Sequence, residues 1–561
     1  MCGIFGILNN NKTINDDIIM KNFQKGFKRG PENSIYKEIQ ENLNFGFHRL
    51  AINGLDEISN QPIEDDGVVV ICNGEIYNYK ELYEEYEFTP KTNSDCEVII
   101  HLYKKFGIEK TLELLDGVFA LALYDTRDKS IYPKLYLARD PYGVRPLYIF
   151  KNKKQNDSCF KDYDNVVIFG SELKMLIPFY NELGSGSYKY SAEHIQPNTY
   201  TIFYYNNNEW ILSYKDLTYG IKPMVPYDYT SEESVCEEIY KRLDAAVKKR
   251  VVTSDRPLAC LLSGGLDSSL ITSLVHKHYK GTLETFSIGM PGSEDLKYSK
   301  QVADFLGTKH TQIVLSEDEF FDAIPDVIQN IESYDTTTVR ASVGNYLIGK
   351  YIKQFSEAKV IFNGDGSDEL AGGYMYFHAA PSEKDFDIEC KTLLRYIHTF
   401  DVLRSDKSIS SNGLEPRTPF LDKSFVQFYL SIPLKMRCHK NQNRCEKYLL
   451  RKAFDNKNLL PENVLWRTKE AFSDGVSSQK KSWFEIIDEK ITEKYDSLYK
   501  VQKTFDHINP VTQEQRYYRT LFDNEYPNTN HIIPFYWMPK WTNALDSSAR
   551  TLKVYSGNYK K

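Results

Sequence analysis

The chain has no Cys-x-x-Cys pair, and its nine cysteines, at positions 2, 72, 96, 159, 236, 260, 390, 438 and 445, are odd in number and scattered. That pattern argues against a disulfide framework and a zinc site and leaves most of them as buried thiols. Cys438, His439 and Cys445 lie close together, but their spacing fits no usual ligand pattern. Long apolar runs are missing too. Stretches such as 68–72 and 118–124 fall far short of the roughly 20 residues that span a bilayer, so no membrane segment is expected. Neither sign of charge prevails: 70 Lys and Arg stand against 77 Asp and Glu, for a formal net charge of −7. Without a basic excess, nucleic acid is not an expected partner. Met1-Cys2-Gly3 runs directly into Ile4-Phe5-Gly6-Ile7 with no basic start, apolar segment or cleavage site, so a cytoplasmic location is expected. At 561 residues the chain exceeds one core. A prior of about 150 residues per domain allows two to four units, and two large ones are expected.

What is present centres on Leu258 to Leu262, followed by Ser263-Gly264-Gly265-Leu266-Asp267-Ser268-Ser269 and an amphipathic stretch to Tyr279. The run LACLL has the length of a buried parallel strand, and Leu270, Ile271, Leu274 and Val275 share one helical face. The heptapeptide therefore sits in a strand-to-helix turn. Its glycines let the backbone approach a ligand, and its serines and helix-start N–H groups suit phosphate oxygens. Asp267 would repel phosphates unless a cation lay between them, so Mg²⁺ is implied. There is no Gly-Lys-Ser/Thr ending of the kind that serves γ-phosphate cleavage. The run resembles the pyrophosphate-binding loop of the ATP pyrophosphatases, which adenylate a substrate.

Before that loop, residues 1–205 hold strand candidates at 3–8, 45–52, 68–72, 118–124, 135–139 and 166–170. Helical spacing appears at 94–106 and 108–115, with Ser94 or Asp95 placed to cap the first. Such a mixture fits a layered sheet sandwich with helices outside. Cys2 is expected to become the first residue once Met1 is removed. An α-amine titrates at about 8 and a thiol at about 8.5, so one residue then carries both nucleophile and base. Arg49 offers a fork for a carboxylate, acidic side chains suit an ammonium, and Asn73-Gly74 is a turn pair able to aim donors at an oxyanion. The motifs Met1 to Gly6, Arg29-Gly30-Pro31, His48-Arg49-Leu50-Ala51-Ile52, Asn73-Gly74-Glu75-Ile76-Tyr77-Asn78 and Ser94-Asp95-Cys96-Glu97 resemble the class II glutamine amidotransferase domain. That resemblance implies thioester chemistry on Cys2 and an oxyanion hole from the Asn73 side chain and Gly74 backbone. It also implies glutamine binding by Arg49, Leu50, Ala51, Ile52, Asn73, Gly74, Glu75 and Asp95. Glu32 departs from the family's usual Asp and reads as loop structure. Arg139 to Tyr148 and Ser171-Glu172-Leu173-Lys174 also match, and most of these read as rigid turn. Residues 151–165 read as a solvated loop, and 184–197 as the end of the first core.

In the second half a helix over 233–250 precedes the central loop, and strands at 285–289, 311–315 and 360–362 alternate with helices, the pattern of a parallel sheet with ligands at its strand ends. Asn363-Gly364-Asp365-Gly366-Ser367-Asp368-Glu369 is a second strand-to-glycine turn whose three carboxylates suit metal and substrate handling. With Glu332 to Ser342, Glu415 to Asp422, Glu446-Lys447, Arg467 to Gly475, Trp537 to Trp541 and Ser548 to Leu552, nearly the whole chain resembles the glutamine-dependent asparagine synthetases.

The resemblance implies an α+β N-terminal sandwich of the N-terminal nucleophile, αββα-like kind over 1–205, a connecting segment over 206–232, and an α/β ATP-pyrophosphatase-like domain over 233–561. It places ATP on Leu262, Ser263, Gly264, Gly265, Leu266, Asp267, Ser268, Ser269, Ile288, Asn363 and Gly364, and Mg²⁺ on Asp267 and Asp368. Thr337, Arg340 and Lys447 would meet the phosphates or the charge developing at the α-phosphorus, although an exposed lysine on a helix face is an ordinary feature. L-aspartate, L-glutamine and ATP are then the substrates, with ammonia passed internally. A homodimer is left open. A relative that adenylates a different carboxylate remains an alternative. Asp365 stands where the family has Glu, one methylene shorter, in a position given a part in handling ammonia.

Overall fold

The computed structural model describes residues 1–127, 132–153, 165–183, 190–220, 231–499, 505–544 and 546–552. The chain forms two compact units, one of Met1–Lys222, Ser410–Leu414 and Tyr526–Ile532 and the other of Pro223–Ile409, Glu415–Glu525 and Ile533–Lys561. Among the described residues no helix is long and apolar enough to cross a membrane.

The strands of the first unit are β1 (Gly3–Leu8), β2 (Asn33–Gln40), β3 (Leu43–Arg49), β4 (Ile63–Asp65), β5 (Val68–Ile76), β6 (Gly117–Asp125), β7 (Lys134–Arg139), β8 (Tyr148–Asn152), β9 (Val167–Gly170), β10 (Tyr190–His194), β11 (Thr199–Asn206) and β12 (Glu209–Thr218). They make two six-stranded sheets, ordered β10-β8-β9-β1-β3-β2 and β12-β11-β7-β6-β5-β4. Alternation along each strand decides which side chains meet. Ile4 and Leu8 of β1 face Val69 and Ile71 of β5 in one core between the sheets. The intervening residues of β5, Val68, Val70 and Cys72, turn outward under Val98, Ile99 and Leu102 of the helix Val98–Phe106. On the other outer face Phe5 meets Phe23, at the end of the helix Asp16–Phe23, with ring centroids 5.8 Å apart. The layers therefore run helix, sheet, sheet, helix, as the strand and helix patterns predict.

The six expected strands all form, with ends shifted by up to four residues. Ser94 caps a 3₁₀ turn over Asp95–Glu97, not the α-helix itself. The first unit also runs past the expected end at 205, because β12 pairs with β11 and Tyr219 donates to the carbonyl of Arg139 at 2.8 Å. β12 is an edge strand whose mixed polar sequence, EWILSYKDLT, carries only weak alternation. Within the expected solvated loop, Lys151 and Asn152 belong to β8 and are buried, while 154–164 lie outside the described residues. Likewise Tyr190–His194 is a strand, and 184–189 and 221–230 lie outside the described residues.

In the second unit β13 (Leu258–Leu261), β14 (Glu284–Gly289), β15 (Lys309–Val314), β16 (Val360–Phe362) and β17 (Glu415–Arg417) form a sheet ordered β15-β14-β13-β16-β17, with every pair parallel. The chain builds outward from β13 to β15, then returns to the opposite side of β13 with β16. The direction of winding thus reverses between β13 and β16, which opens a crevice at their C-terminal ends. Both glycine turns leave the sheet at that crevice. Gly364 lies so close to the other turn that a Cβ there would stand 2.7 Å from Asp267 Cβ and 2.8 Å from Ser268 N.

The turn after β7 is held by Arg139, which donates to the carbonyls of Gly143 and Arg145, and by a buried carboxylate. Asp140 is fully buried and accepts from the backbone N–H groups of Tyr142, Val144, Arg145 and Phe119 at 3.0 to 3.3 Å. Asp140→Ala leaves these donors without that acceptor and should destabilise the first unit by about 3 kcal/mol, read as a lower urea midpoint for its unfolding transition. An unchanged midpoint would show that other partners replace the carboxylate.

Candidate active sites

In the first unit the same alternation that builds the core delivers the reactive groups. Cys2 continues the inward-facing series of Ile4 and Leu8, and Asn73 continues that of Val69 and Ile71, so the two side chains belong to the inner faces of opposed sheets. Cys2 is half-buried, packs against the core between the sheets, and its Sγ lies 3.7 Å from the carbonyl of Leu50. Its own carbonyl accepts from Arg29 Nε at 2.9 Å, and Arg29 is paired with Glu172 at 2.5 Å. Asn73 is fully buried with its Oδ1 unpartnered, and its Nδ2 lies 3.5 Å from Ser171 Oγ, which also accepts from the N–H of Ile4. Arg29, together with Ser171 and Glu172, whose motif reads mainly as turn structure, thus braces Cys2 and Asn73.

The other residues expected to bind glutamine lie on adjoining segments. Arg49 donates to the carbonyls of Asp56 and Gly54 and to Asn60 Oδ1, so the loop over 54–60 wraps its guanidinium. Leu50, Ala51 and Ile52 are buried, and Ala51 N–H donates to Glu32 Oε2 at 2.7 Å, which gives the departure at Glu32 a structural role in the loop. Glu75 accepts from Asn53 Nδ2 at 2.5 Å, and Asp95 accepts from the N–H of Ile76 at 2.7 Å. Both carboxylates are buried.

In the second unit a cavity of about 170 Å³ opens at the β13/β16 crevice. Leu262, Ser263, Gly265, Leu266, Asp267, Ser268, Ile288, Asn363 and Gly364 all line it, together with Thr337, Asp365, Asp368 and Lys447. Gly264 and Ser269 do not. Gly264, at φ +76°, presses against the backbone of Tyr298 and Ser299, and Ser269 is buried inside the helix Leu266–His278. Arg340 does not line the cavity either. It is buried in ion pairs with Glu514 and Asp546, with Arg340 Nη1 2.8 Å from Asp546 Oδ1. Those partners lie far along the chain, so its sequence neighbourhood carried no sign of them.

Charge concentrates where the two turns meet. Lys447 Nζ stands 2.5 Å from both Asp267 Oδ2 and Asp368 Oδ1, and Lys469 Nζ 2.6 Å from Asp368 Oδ2. Ser367 Oγ donates to Asp267 Oδ1 at 2.7 Å. Burial works against the charged form of Asp368, but the two lysines outweigh it and hold the carboxyl below its usual range. Lys447 is 1% exposed and sits at φ +55°, a left-handed conformation costly for a residue with a side chain. It is therefore no exposed lysine on a helix face. Gly373 makes room for it, since a Cβ there would lie 1.9 Å from Lys447 Cε.

Other cavity residues have no individual role in the sequence reading, although Glu369 is one of the three carboxylates of the second glycine turn. Lys469 was visible only as part of a motif. Glu369 accepts from Tyr374 OH at 2.5 Å, and burial, reinforced by the charges of Asp401 and Asp368, pushes its carboxyl well up. Arg404 pairs with Asp365 at 2.8 Å and with Asp401. Asp295 is buried beside Arg467, 3.1 Å away, and Arg467 also donates to the carbonyl of Gly264 at 3.2 Å. No local signal separates Lys469, Arg404 and Asp295 from ordinary surface charges, because their partners Asp368, Asp365 and Arg467 lie 101, 39 and 172 residues away.

Comparison with known proteins follows the division into units. The family model described as "Glutamine amidotransferase domain" matches residues 1–207, and that described as "Asparagine synthase" matches residues 238–390 and 379–549. The chain is 40% identical over 584 residues to "Asparagine synthetase [glutamine-hydrolyzing]" of Homo sapiens, with 100% of both chains covered. Proteins of the same description from Gallus gallus and Bos taurus are 40% identical over 580 and 581 residues, with 99% of each chain covered. Among solved structures, glutamine-dependent NAD+ synthetase from Acinetobacter baumannii matches 48% of this chain and 41% of that chain at 15% identity and a TM-score of 0.24, too distant to support an argument.

Burial beside the nucleotide loop has a pH signature. Desolvation raises Asp295 to about 7, against the opposing pull of Arg467. A carboxyl raised in the folded state favours folding fully only below its unfolded value, and that contribution is lost as pH rises through the folded one. Asp295→Asn cannot ionise, so the stability of the variant relative to the wild type should climb between pH 4 and 7 and level off above 8. Urea midpoints measured across that range check this, and a constant difference would mean that Asp295 is ionised throughout.

Proposed function

The chain belongs to the glutamine-hydrolysing asparagine synthetases and makes asparagine with ATP and glutamine; we propose that its first unit splits glutamine at Cys2 and its second adenylates aspartate in the β13/β16 cavity. The observation that carries the second assignment is the meeting of the two glycine turns, which sets Asp267, Asp368, Lys447 and Lys469 around one point of that cavity.

In the first unit, removal of Met1 leaves the Cys2 thiol beside its own α-amine. The amine takes the thiol proton while Sγ attacks the side-chain amide carbon of glutamine. The Asn73 side chain and the Gly74 backbone stabilise the oxyanion. Ammonia leaves, and water then hydrolyses the thioester to glutamate. Arg49 holds the glutamine carboxylate, and Glu75 and Asp95 hold its ammonium; their burial keeps those charge pairs strong.

In the second unit the side-chain carboxylate of aspartate attacks the α-phosphorus of ATP. The bond to the β-phosphate oxygen breaks, and pyrophosphate leaves. Lys447 and Lys469 offset the negative charge that builds on the phosphates, where a desolvated cation counts for more than in water. Asp267 and Asp368 present convergent hard oxygens and suit a Mg²⁺ completed by phosphate oxygens and water, so these two would hold it. When bound, such an ion supplies further neutralisation of the phosphates. Ammonia then attacks the acyl carbon of the aspartyl-adenylate, the bond to AMP breaks, and one proton must leave nitrogen. Asp365, on the cavity wall with a buried Oδ2 that has no hydrogen-bond partner, is the acceptor.

Cys2→Ala should abolish glutamine-dependent synthesis while external ammonia still supports asparagine formation, with AMP and pyrophosphate as products in both wild type and variant. Loss of both activities in a folded variant, or ADP and phosphate as products, would overturn the scheme. Asp365→Ala should lower asparagine formation by about 10²-fold, as loss of a general base does, while aspartate-dependent pyrophosphate exchange persists. Retention of full synthesis with one AMP per asparagine would remove Asp365 from the mechanism.

A further inference from the structure

At the second glycine turn the cavity wall holds a further charge cluster, in which Arg404 and Asp401 have no task in the steps above. Asp365 Oδ1 accepts from Arg404 Nη2 at 2.8 Å. The same guanidinium nitrogen pairs with Asp401 Oδ1. Asp401 in turn uses its other oxygen to accept from the N–H of Gly366 at 2.9 Å, so one carboxylate grips both the turn backbone and the arginine. Arg404 is largely buried, with 12% of its side chain exposed. Burial pulls against its charge, but Asp365 and Asp401 outweigh that and hold it firmly protonated.

This arrangement constrains Asp365 in a particular way. One carboxylate oxygen is fixed, and the other, Oδ2, is buried without a partner. A short side chain has little reach, so its useful direction depends on what pins it. Gly366, at φ +87°, lets the turn bring the Asp365 and Asp401 carboxylates to the same guanidinium. The planar guanidinium is pre-organised, so its Nη2 meets both carboxylates in one fixed orientation, whereas a lysine on a flexible stem would hold Asp365 less rigidly.

We propose that Arg404, braced by Asp401, is a positioning residue for the amide-forming step: it fixes Asp365 so that Oδ2 alone faces incoming ammonia. The inference rests on the reading of Asp365 as the proton acceptor. Arg404 touches neither nucleotide nor ammonia in this role and acts only through Asp365. The adenylation half of the reaction, at the Asp267, Asp368, Lys447 and Lys469 end, does not depend on it.

The test uses the full-length enzyme with ammonium chloride as nitrogen source and compares Arg404→Lys, Asp401→Asn and Asp365→Ala. Arg404→Lys keeps a cation beside both carboxylates, so folding does not hang on an uncompensated charge. Aspartate-dependent ATP–pyrophosphate exchange reports adenylation, and the ratio of AMP to asparagine reports coupling. In Arg404→Lys, exchange should stay within about threefold of wild type while asparagine formation falls about tenfold and the ratio rises well above one, with KM for ammonia raised and KM for ATP unchanged. Asp401→Asn should show the same split more weakly. If Asp365→Ala uncouples but Arg404→Lys keeps a ratio of one, the positioning role is overturned and the reading of Asp365 stands. If neither uncouples, the reading of Asp365 fails and takes this inference with it. Equal loss of exchange and synthesis in Arg404→Lys would mark a structural role and also overturn the proposal.

Discussion

Two carboxylates and two ammonium groups meeting at the ends of β13 and β16 are the constraint on which the second unit depends. Asp267 comes from the first glycine turn, Asp368 from the second, and Lys447 and Lys469 from segments much later in the chain. Burying such charges is costly unless each is matched, and here each carboxylate has at least one cation within 2.6 Å. The parallel sheet brings the turns together, Gly364 lets them approach, and Gly373 clears the path for Lys447. Remove any of these and the matching fails, which ties the sheet order to the chemistry at its edge.

The first unit reaches its site by simpler means. Two sheets packed face to face need alternating inward residues, and Cys2 and Asn73 are the next members of two such series. The reactive thiol is thus placed by the same period of two that fills the core. Arg29, Ser171 and Glu172 then fix the end of β1 with hydrogen bonds that no turn motif alone would reveal.

Much of this was legible in the order of residues. The glycine turns and the strand before each could be read locally, because strand–turn–helix patterns are short-range. Charge pairing could not. Lys447 lies 180 residues from Asp267, and Lys469 101 from Asp368, so nothing beside either lysine shows that it is buried. Arg340 shows the same limit: a cation beside Thr337 and Thr338 suits phosphate, and nothing local shows its pairing with Glu514 and Asp546, 174 and 206 residues on. The edge strand β12 escaped because pairing on one side only leaves its sequence free to be polar.

The position of Lys447 between Asp267 and Asp368 also bears on how the empty cavity receives its ligand. Its ammonium already neutralises the carboxylates that would otherwise repel a polyphosphate. On the reading proposed above, a nucleotide entering with its own counter-cation would exchange ions here, and the lysine would pass from carboxylate to phosphate oxygens. The left-handed backbone at Lys447 keeps its ammonium on a short tether beside both carboxylates.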